Sequence, residues 1–297
     1  MNSFNMMSSN EVVRTHRSKI PALNHFNITE LHKMPELFDW VDCRVNDEHH
    51  FKMLLGGKDD GVAMRFFWNG QYEAATLRAW VYFASKSNLI LDIGAHTGAY
   101  TLAALSASSG ENVFSFEPHF MNFARLNLNL RGNGFKTSNS HMVAVGDKTE
   151  IRNFSISTNI NYLSTGGSLD KKTGSFTSGV QVVNLDKTFA TSIHEQIKLV
   201  KIDVEGHEDK CLEGMSNIIK VAKPIIFFEC IDVTSGQKVE HFLLSKNYII
   251  YEIDDITGKI SETNKSFPYL DTNGQPVMHK INRISVPSQQ RLTMNCI

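Results

Sequence analysis

The apolar positions of this chain change period along its length, and the changes predict alternating strands and helices. Leu89-Ile90-Leu91 is a continuous apolar run bounded by Asp92, too hydrophobic for a surface loop, and reads as a buried parallel strand. A glycine-punctuated turn follows, and from Ala99 the residues Tyr100, Leu102, Ala103 and Leu105 continue as one side of a helix. Strand, glycine turn and helix in that order form the first half of a nucleotide-binding βαβ unit. Asn112 to Phe116 is the next strand, and Asn122 to Leu130 a helix with Phe123, Leu126 and Leu130 as its packing stripe. Ser140 to Val145, Leu199 to Val204 and Pro224 to Cys230 are three further strands, with helices at Lys210 to Ile219 and Gln237 to Ser245. Tyr248 to Ile253 and a partner beginning near Lys259 form a terminal hairpin.

Upstream, Ala75, Leu77, Trp80, Val81, Phe83 and Ala84 have helical spacing within Tyr72 to Ser85. Residues 1–20 are polar and weakly patterned and read as a flexible tail. Residues 21–71 form an N-terminal extension whose apolar content must pack on the core or on a partner chain, and its KDDG turn at 58–61 leads into VAMRFFW, read as a strand. Ile151 to Val183 is rich in Ser, Thr, Asn and Gly and reads as a flexible surface loop, with strand character resuming at Val180. The core domain spans 72–264, and 265–297 is a polar, proline-containing C-terminal extension that wraps the surface or mediates association, such as a homo-oligomer.

With 297 residues, 41% hydrophobic and 21% charged, the chain suits one large α/β domain with extensions, or two small ones. Lys and Arg number 30 against 31 Asp and Glu, so the basic surplus expected of a nucleic-acid binder is missing. Cys43, Cys211, Cys230 and Cys296 are scattered, which predicts reduced thiols in a cytoplasmic protein with neither a disulfide framework nor a zinc site. No apolar run approaches the roughly 20 residues that span a bilayer, and the first residues lack the apolar core of a signal peptide.

The glycine spacing narrows the ligand. A dinucleotide fingerprint starting at Gly94 requires glycine where the chain has His96 and Ala99, and no G-K-[ST] element exists. The remaining Asp-x-Gly-x-x-x-Gly suits an uncharged ribose and an amino-acid zwitterion, with backbone N–H groups on the carboxylate and Asp92 near the ammonium. Glu117-Pro118 ends the next strand roughly 20 residues on, where such folds place an acid on the ribose hydroxyls. Ordinary turn glycines and a solvated acid are the bland alternative, and the five features together favour binding.

LILDIGAHTGAYTL, FSFEPHFMNFARLNLNL and VKIDVEGHEDKCLEGM resemble the FkbM family of S-adenosylmethionine-dependent methyltransferases, over Tyr72 to Tyr251. The resemblance implies a Rossmann-like α/β fold with a seven-stranded sheet of order 3-2-1-4-5-7-6, strand 7 antiparallel, and helices on both faces. It also implies O-methylation of a sugar, glycolipid or secondary-metabolite hydroxyl. The cofactor set it suggests is Tyr72, Glu73, Asp92, Gly94, His96, Thr97, Gly98, Glu117, Pro118, Asp147 and Asp203, with Tyr72-Glu73 as the family's Tyr-Glu pair and Asp147 at the adenine. An Asx turn is the alternative for Asp147. Gly167 and Ser168, from a Gly-Ser-Leu element near the active-site mouth, together with Glu229 are the substrate candidates.

Asp92, Glu117, Asp147, Asp203, Glu205 and Glu229 all stand at strand ends, the ligand edge of an open α/β sheet. A sugar hydroxyl is a poor nucleophile, so a base within reach helps, and Asp203, Glu205 and His207 are the candidates. Together with Glu208 and Glu229 they could also hold Mg²⁺, against a reading as capping acids. Competing readings are an NAD-dependent oxidoreductase, a nucleic-acid or other N-methyltransferase, disfavoured by the lack of an (N/D)-P-P-(Y/F) element, and a non-catalytic binding module.

Overall fold

The computed structural model describes residues 3–108, 111–156, 163, 167, 169, 176–263 and 270–292. The chain opens with α1 (Ser3–Ser18), α2 (Ile28–Leu31), the hairpin β1 (Leu37–Arg44) and β2 (His50–Gly57), and α3 (Gly61–Asn69). The expected tail is thus a docked helix. Asn10 bonds both backbone groups of Phe38 at 2.9 and 3.1 Å, Arg14 pairs with Asp39 at 2.8 Å, and Arg17 donates to the carbonyls of Phe67, Ile20, Pro21 and Ala22.

VAMRFFW is helical, correcting the expected strand. The buried Asp60 carboxylate accepts from the N–H groups of Val62 and Ala63 at 2.9 and 3.0 Å, and Gly70 closes the helix at φ 74°. A short run apolar on all sides carries no period to separate strand from buried helix, so the cap decided it. Of the two alternatives for the extension, packing on the core is realised. Leu37, Val41 and Met53 share one buried cluster with Trp80, Ile90 and Leu102.

The second part runs α4 (Ala74–Ala84), β3 (Leu89–Ile93), α5 (Ala99–Ala107), β4 (Val113–Phe116), α6 (Phe120–Gly132), β5 (Ser140–His141), β6 (Ala144–Val145) and β7 (Glu150–Ile156). Then follow β8 (Phe176–Val183), α7 (Leu185–Thr188), α8 (Thr191–His194), β9 (Ile197–Ile202), α9 (Glu208–Gly214), α10 (Ser216–Ala222) and β10 (Ile225–Glu229). The chain closes with α11 (Val233–Ser245), β11 (Tyr248–Ile253), β12 (Ile260–Thr263) and β13 (Asn282–Pro287).

The fold is α/β and Rossmann-like. Its sheet has eight strands, not seven, in the order β12-β11-β13-β10-β9-β3-β4-β5. β5, β4, β3, β9 and β10 are parallel, and β13 runs antiparallel to both β10 and β11. The expected order is contained in this sheet only if β13 is strand 7, while β12 is an added outer edge. The hairpin near Lys259 forms, with Ile250 opposite Thr263, but the strand beside β10 comes from the stretch assigned to a C-terminal extension.

The third predicted strand is split: Ser140–His141 stays in the main sheet, whereas Ala144–Val145 pairs with β8 in a small sheet ordered β6-β8-β7. The expected loop at 151–183 therefore has a paired base, with Ile151 opposite Gln181 and Phe154 opposite Ser178. Alternation sorts the strands between two buried clusters. Leu199 and Phe227 face the α4 and α5 side, and Val200, Ile202, Ile226 and Phe228 face the other. Among the described residues no helix is long and apolar enough to cross a membrane.

Candidate active site

A cavity opens at the carboxyl ends of β3, β4, β9 and β10, lined by residues of all four strand ends. Asp92, next to last in β3, is buried and accepts from the Thr101 hydroxyl at 2.5 Å; burial pushes its pKa up to about 6, against that hydrogen bond. Gly94 has φ 82°, and a Cβ there would lie 1.8 Å from the Asp203 carbonyl oxygen. This glycine therefore lets the backbones at the ends of the parallel neighbours β3 and β9 approach closely, held by Asp203 N–H to Ile93 O at 2.9 Å.

Glu117 receives His96 N–H on Oε2 and His119 N–H on Oε1, both at 2.8 Å. Burial still outweighs these bonds and pushes its pKa up to about 7. A side-chain hydrogen bond from Asn122 adds to them, and the carboxylate lines the cavity. Phe116, Pro118, His119, Asn122, Val143, Ala144 and Val145 continue this wall.

Several predicted cofactor residues act one step back from the cavity. Thr97 is fully buried, its hydroxyl 3.1 Å from His96 Nδ1 and its carbonyl accepting from Asn129 at 2.8 Å. Gly98, at φ 102°, makes room for Leu126, whose Cδ1 would sit 2.5 Å from a Cβ. Asp147 does not line the cavity, and its carbonyl accepts from Asn184 at 2.8 Å. Asp92, Gly94, His96, Glu117, Pro118 and Tyr72 do line it.

The inner end is a cluster of polar groups. Lys201, 1% exposed and next to last in β9, points at Asp203 Oδ2, 3.0 Å away, with its ammonium 4.8 Å from the Tyr100 ring centroid. The Tyr100 hydroxyl donates to Glu73, which stands at the start of α4 with φ 40°. Asp255 steadies that start from across the chain, accepting Thr76 N–H and hydroxyl, both at 2.8 Å, and the Asn282 amide at 3.3 Å. Glu229 ends β10 and hydrogen-bonds Asp203; burial and then the Asp203 charge hold its carboxyl far above the usual range. Burial also raises Asp203, but Lys201 and the Glu229 hydrogen bond outweigh it, so Asp203 lies below its ordinary value.

After β9 the chain turns sharply, with Glu205 at φ 58° and Gly206 at φ 99°. Glu208 fastens this turn, accepting Gly206 N–H at 3.0 Å and the Ser235 hydroxyl at 2.6 Å. Glu205 and His207 line the cavity, the latter 2% exposed and packed against Gly146. Gly167 also lines it, with Leu169 and Phe154, while Ser168 lies outside the described residues. Among the described residues no group of three or more His, Cys, Asp or Glu is arranged to hold a metal ion, so the Mg²⁺ expectation finds no site there. The sequence reading missed Lys201, Tyr100, His119 and Asn122. Only Lys201 left a signal, a charge on the inward phase of an apolar strand.

Residues 92–257 match the model of the Methyltransferase FkbM domain. The chain belongs to the FkbM methyltransferase family. It is 27% identical over 212 residues to the hexuronic acid methyltransferase AglP of Haloferax volcanii, covering 67% of this chain and 82% of AglP. The solved FkbM methyltransferase of Methylobacillus flagellatus is similar over 75% of this chain, at 16% identity and a TM-score of 0.41, and the chain spans 52% of its length. An O-methyltransferase of Bacillus cereus, solved with SAH, is similar over 72% of this chain and 79% of its own, at 12% identity and a TM-score of 0.39. By the family match the protein is a methyltransferase.

Proposed function

We propose that this FkbM protein methylates a hydroxyl of a carbohydrate or other small polyol, with Asp203 receiving the hydroxyl proton. The observation that carries this reading is the Asp203 carboxylate, held at the inner end of the cavity by Lys201 at 3.0 Å beside Glu229.

The lining residues fit S-adenosylmethionine. Glu117 offers two acceptor oxygens to a vicinal diol, Phe116, Val143, Ala144 and Val145 offer an apolar slot to a flat base, and Asp92 with the turn N–H groups suits a zwitterion. Bound there, S-adenosylmethionine supplies a methyl group already activated by its sulfonium. The chain's own work is to align the acceptor oxygen, exclude water and take a proton. Asp203 accepts the hydroxyl's hydrogen bond, which aims an oxygen lone pair at the methyl carbon, and takes the proton as the bond to carbon forms. Glu205 bonds a neighbouring hydroxyl, while Glu229 spends its single proton on Asp203 and meets a hydroxyl only as an acceptor.

Calorimetric titration with S-adenosylmethionine and NAD⁺, followed by labelled-methyl transfer to hydroxylated acceptors, tests the reading. Binding of NAD⁺ alone, or transfer only to nitrogen or carboxylate acceptors, would overturn it. Asp203→Asn is expected to lower kcat by about 10²–10⁴-fold while the S-adenosylmethionine dissociation constant stays within about threefold, because the mutated oxygen serves the acceptor. Equal turnover by the variant would remove Asp203 from the proton path.

Glu117 makes cofactor affinity pH-dependent. Its carboxyl protonates near 7 in the free protein, and only the ionised form accepts from two ribose hydroxyls. Affinity is therefore complete above that pH and declines about tenfold per pH unit below it. Glu117→Gln flattens the profile and weakens binding by about 10–100-fold above neutrality, the value of one charged hydrogen bond. A pH-independent wild-type affinity between 5.5 and 8 would place another group on the ribose.

A further inference from the structure

Lys201 is the one residue of the inner cluster whose burial has no structural gain of its own. It stands next to last in β9, between Val200 and Ile202, on the face where Leu199 and Phe227 pack among apolar neighbours. An apolar side chain would serve the core better there, since removing an ammonium from water costs several kcal/mol. We propose that Lys201 is the positioning residue of the acceptor site, whose ammonium fixes the Asp203 carboxylate in the rotamer and charge state that receive the hydroxyl proton.

Geometry supports this assignment. The Lys201 ammonium is sealed on all sides except the cavity, 3.0 Å from Asp203 Oδ2, and the Tyr100 ring face lies beneath it at 4.8 Å. Asp203 is the more open partner, with 29% of its side chain exposed, so its carboxylate is within reach of an acceptor in the cavity. The charges facing the pair come from every neighbouring element: Tyr72 and Glu73 before α4, Asp92 from β3, His96 from the turn, Tyr100 from α5 and Glu229 from β10. Three of these, Glu73, Asp92 and Glu229, are carboxylic acids gathered with Asp203 around one ammonium. Burial pulls the Lys201 pKa down, but Asp203, Glu73 and Glu229 together hold it above its ordinary value, so Lys201 stays charged and is not itself the base.

Without that cation the nearest carboxylates would compete for protons. Asp203 and Glu229 already hydrogen-bond, and two such acids sharing a site cannot both ionise freely. Lys201 breaks the tie: it faces Asp203, leaving the proton on Glu229. Proton transfer is balanced within the cluster, since Asp203 takes the hydroxyl proton as the acceptor oxygen gains its methyl group, and releases it to solvent through its exposed edge after product leaves.

The inference rests on Asp203 as proton acceptor, so its test includes a reading independent of turnover. Protein labelled with ¹³C at aspartate carboxyls is titrated without cofactor, the Asp203 signal being assigned by its loss in Asp203→Asn. In the wild type the Asp203 midpoint is expected below the ordinary aspartate value, and in Lys201→Met it rises by about 1–3 units. In parallel the acidic limb of kcat/KM moves up in pH by the same amount, kcat falls at neutral pH, and KM for S-adenosylmethionine changes less than threefold. A merely structural role for Lys201 would lower the melting temperature without moving the limb. A wild-type Asp203 midpoint at or above the ordinary value would overturn the proposal, even if Lys201→Met fails to fold. A shifted midpoint with no hydroxyl methylation would uphold the ion pair and overturn the acceptor reading instead.

Discussion

Removing residues 265–297 is expected to abolish folding of the methyltransferase core. β13 lies inside the sheet, pairing Ile226 with Ser285 on one side and Tyr251 with Ile284 on the other. Its loss strips two strands of their backbone partners and exposes the seats of Ile281, Ile284 and Val286, all buried. At about 1.5–3 kcal/mol per buried aliphatic side chain these three alone approach the 5–15 kcal/mol by which a domain is stable. The loss also reaches the site, because Asn282 bonds Asp255, which caps α4 beside Glu73. Circular dichroism melting and size-exclusion chromatography of the 1–264 chain check this. A cooperative melt with normal S-adenosylmethionine affinity would show that the core ends before β13.

Gly94→Ala is expected to destabilise the protein by more than about 4 kcal/mol and to eliminate cofactor binding. Two costs add. The left-handed backbone at φ 82° charges any Cβ about 1–2 kcal/mol, and that Cβ would fall 1.8 Å from the Asp203 carbonyl, so the ends of β3 and β9 must separate. Gly134→Ala isolates the first cost, because Gly134 has φ 77° with nothing within 4 Å of the added carbon. Equal losses of melting temperature in the two variants would mean that the close approach of the two strand ends tolerates displacement. A selective loss at Gly94 would tie the glycine to the contact that delivers Asp203 to the cavity.

This bears on how glycine turns are read. From sequence, Gly94 and Gly98 looked like one ligand-facing pair. In the structure Gly94 serves a close backbone approach at the cavity edge, and Gly98 serves the packing of Leu126, with no place in the lining. A requirement for glycine is visible in sequence, but what occupies the missing Cβ's space is contributed by residues far along the chain. The same holds for acids. Glu117 and Asp203 reach the cavity, whereas Glu208, two residues before Lys210, is consumed by Gly206 and Ser235.

The local sequence determined the βαβ frame, the parallel strands at Leu89–Ile93, Val113–Phe116, Ile197–Ile202 and Ile225–Glu229, and the family, because these depend on apolar period and short motifs. The helix at VAMRFFW also had a local cause, the cap of Asp60. Tertiary structure alone decided two things. It inserted Asn282–Pro287 between β10 and β11. It also joined Lys201, Tyr100, Glu73, Asp203 and Glu229 into one buried cluster. Strand pairing and the charge state of a buried group depend on neighbours distant in sequence, whose burial and proximity exist only once the chain has folded.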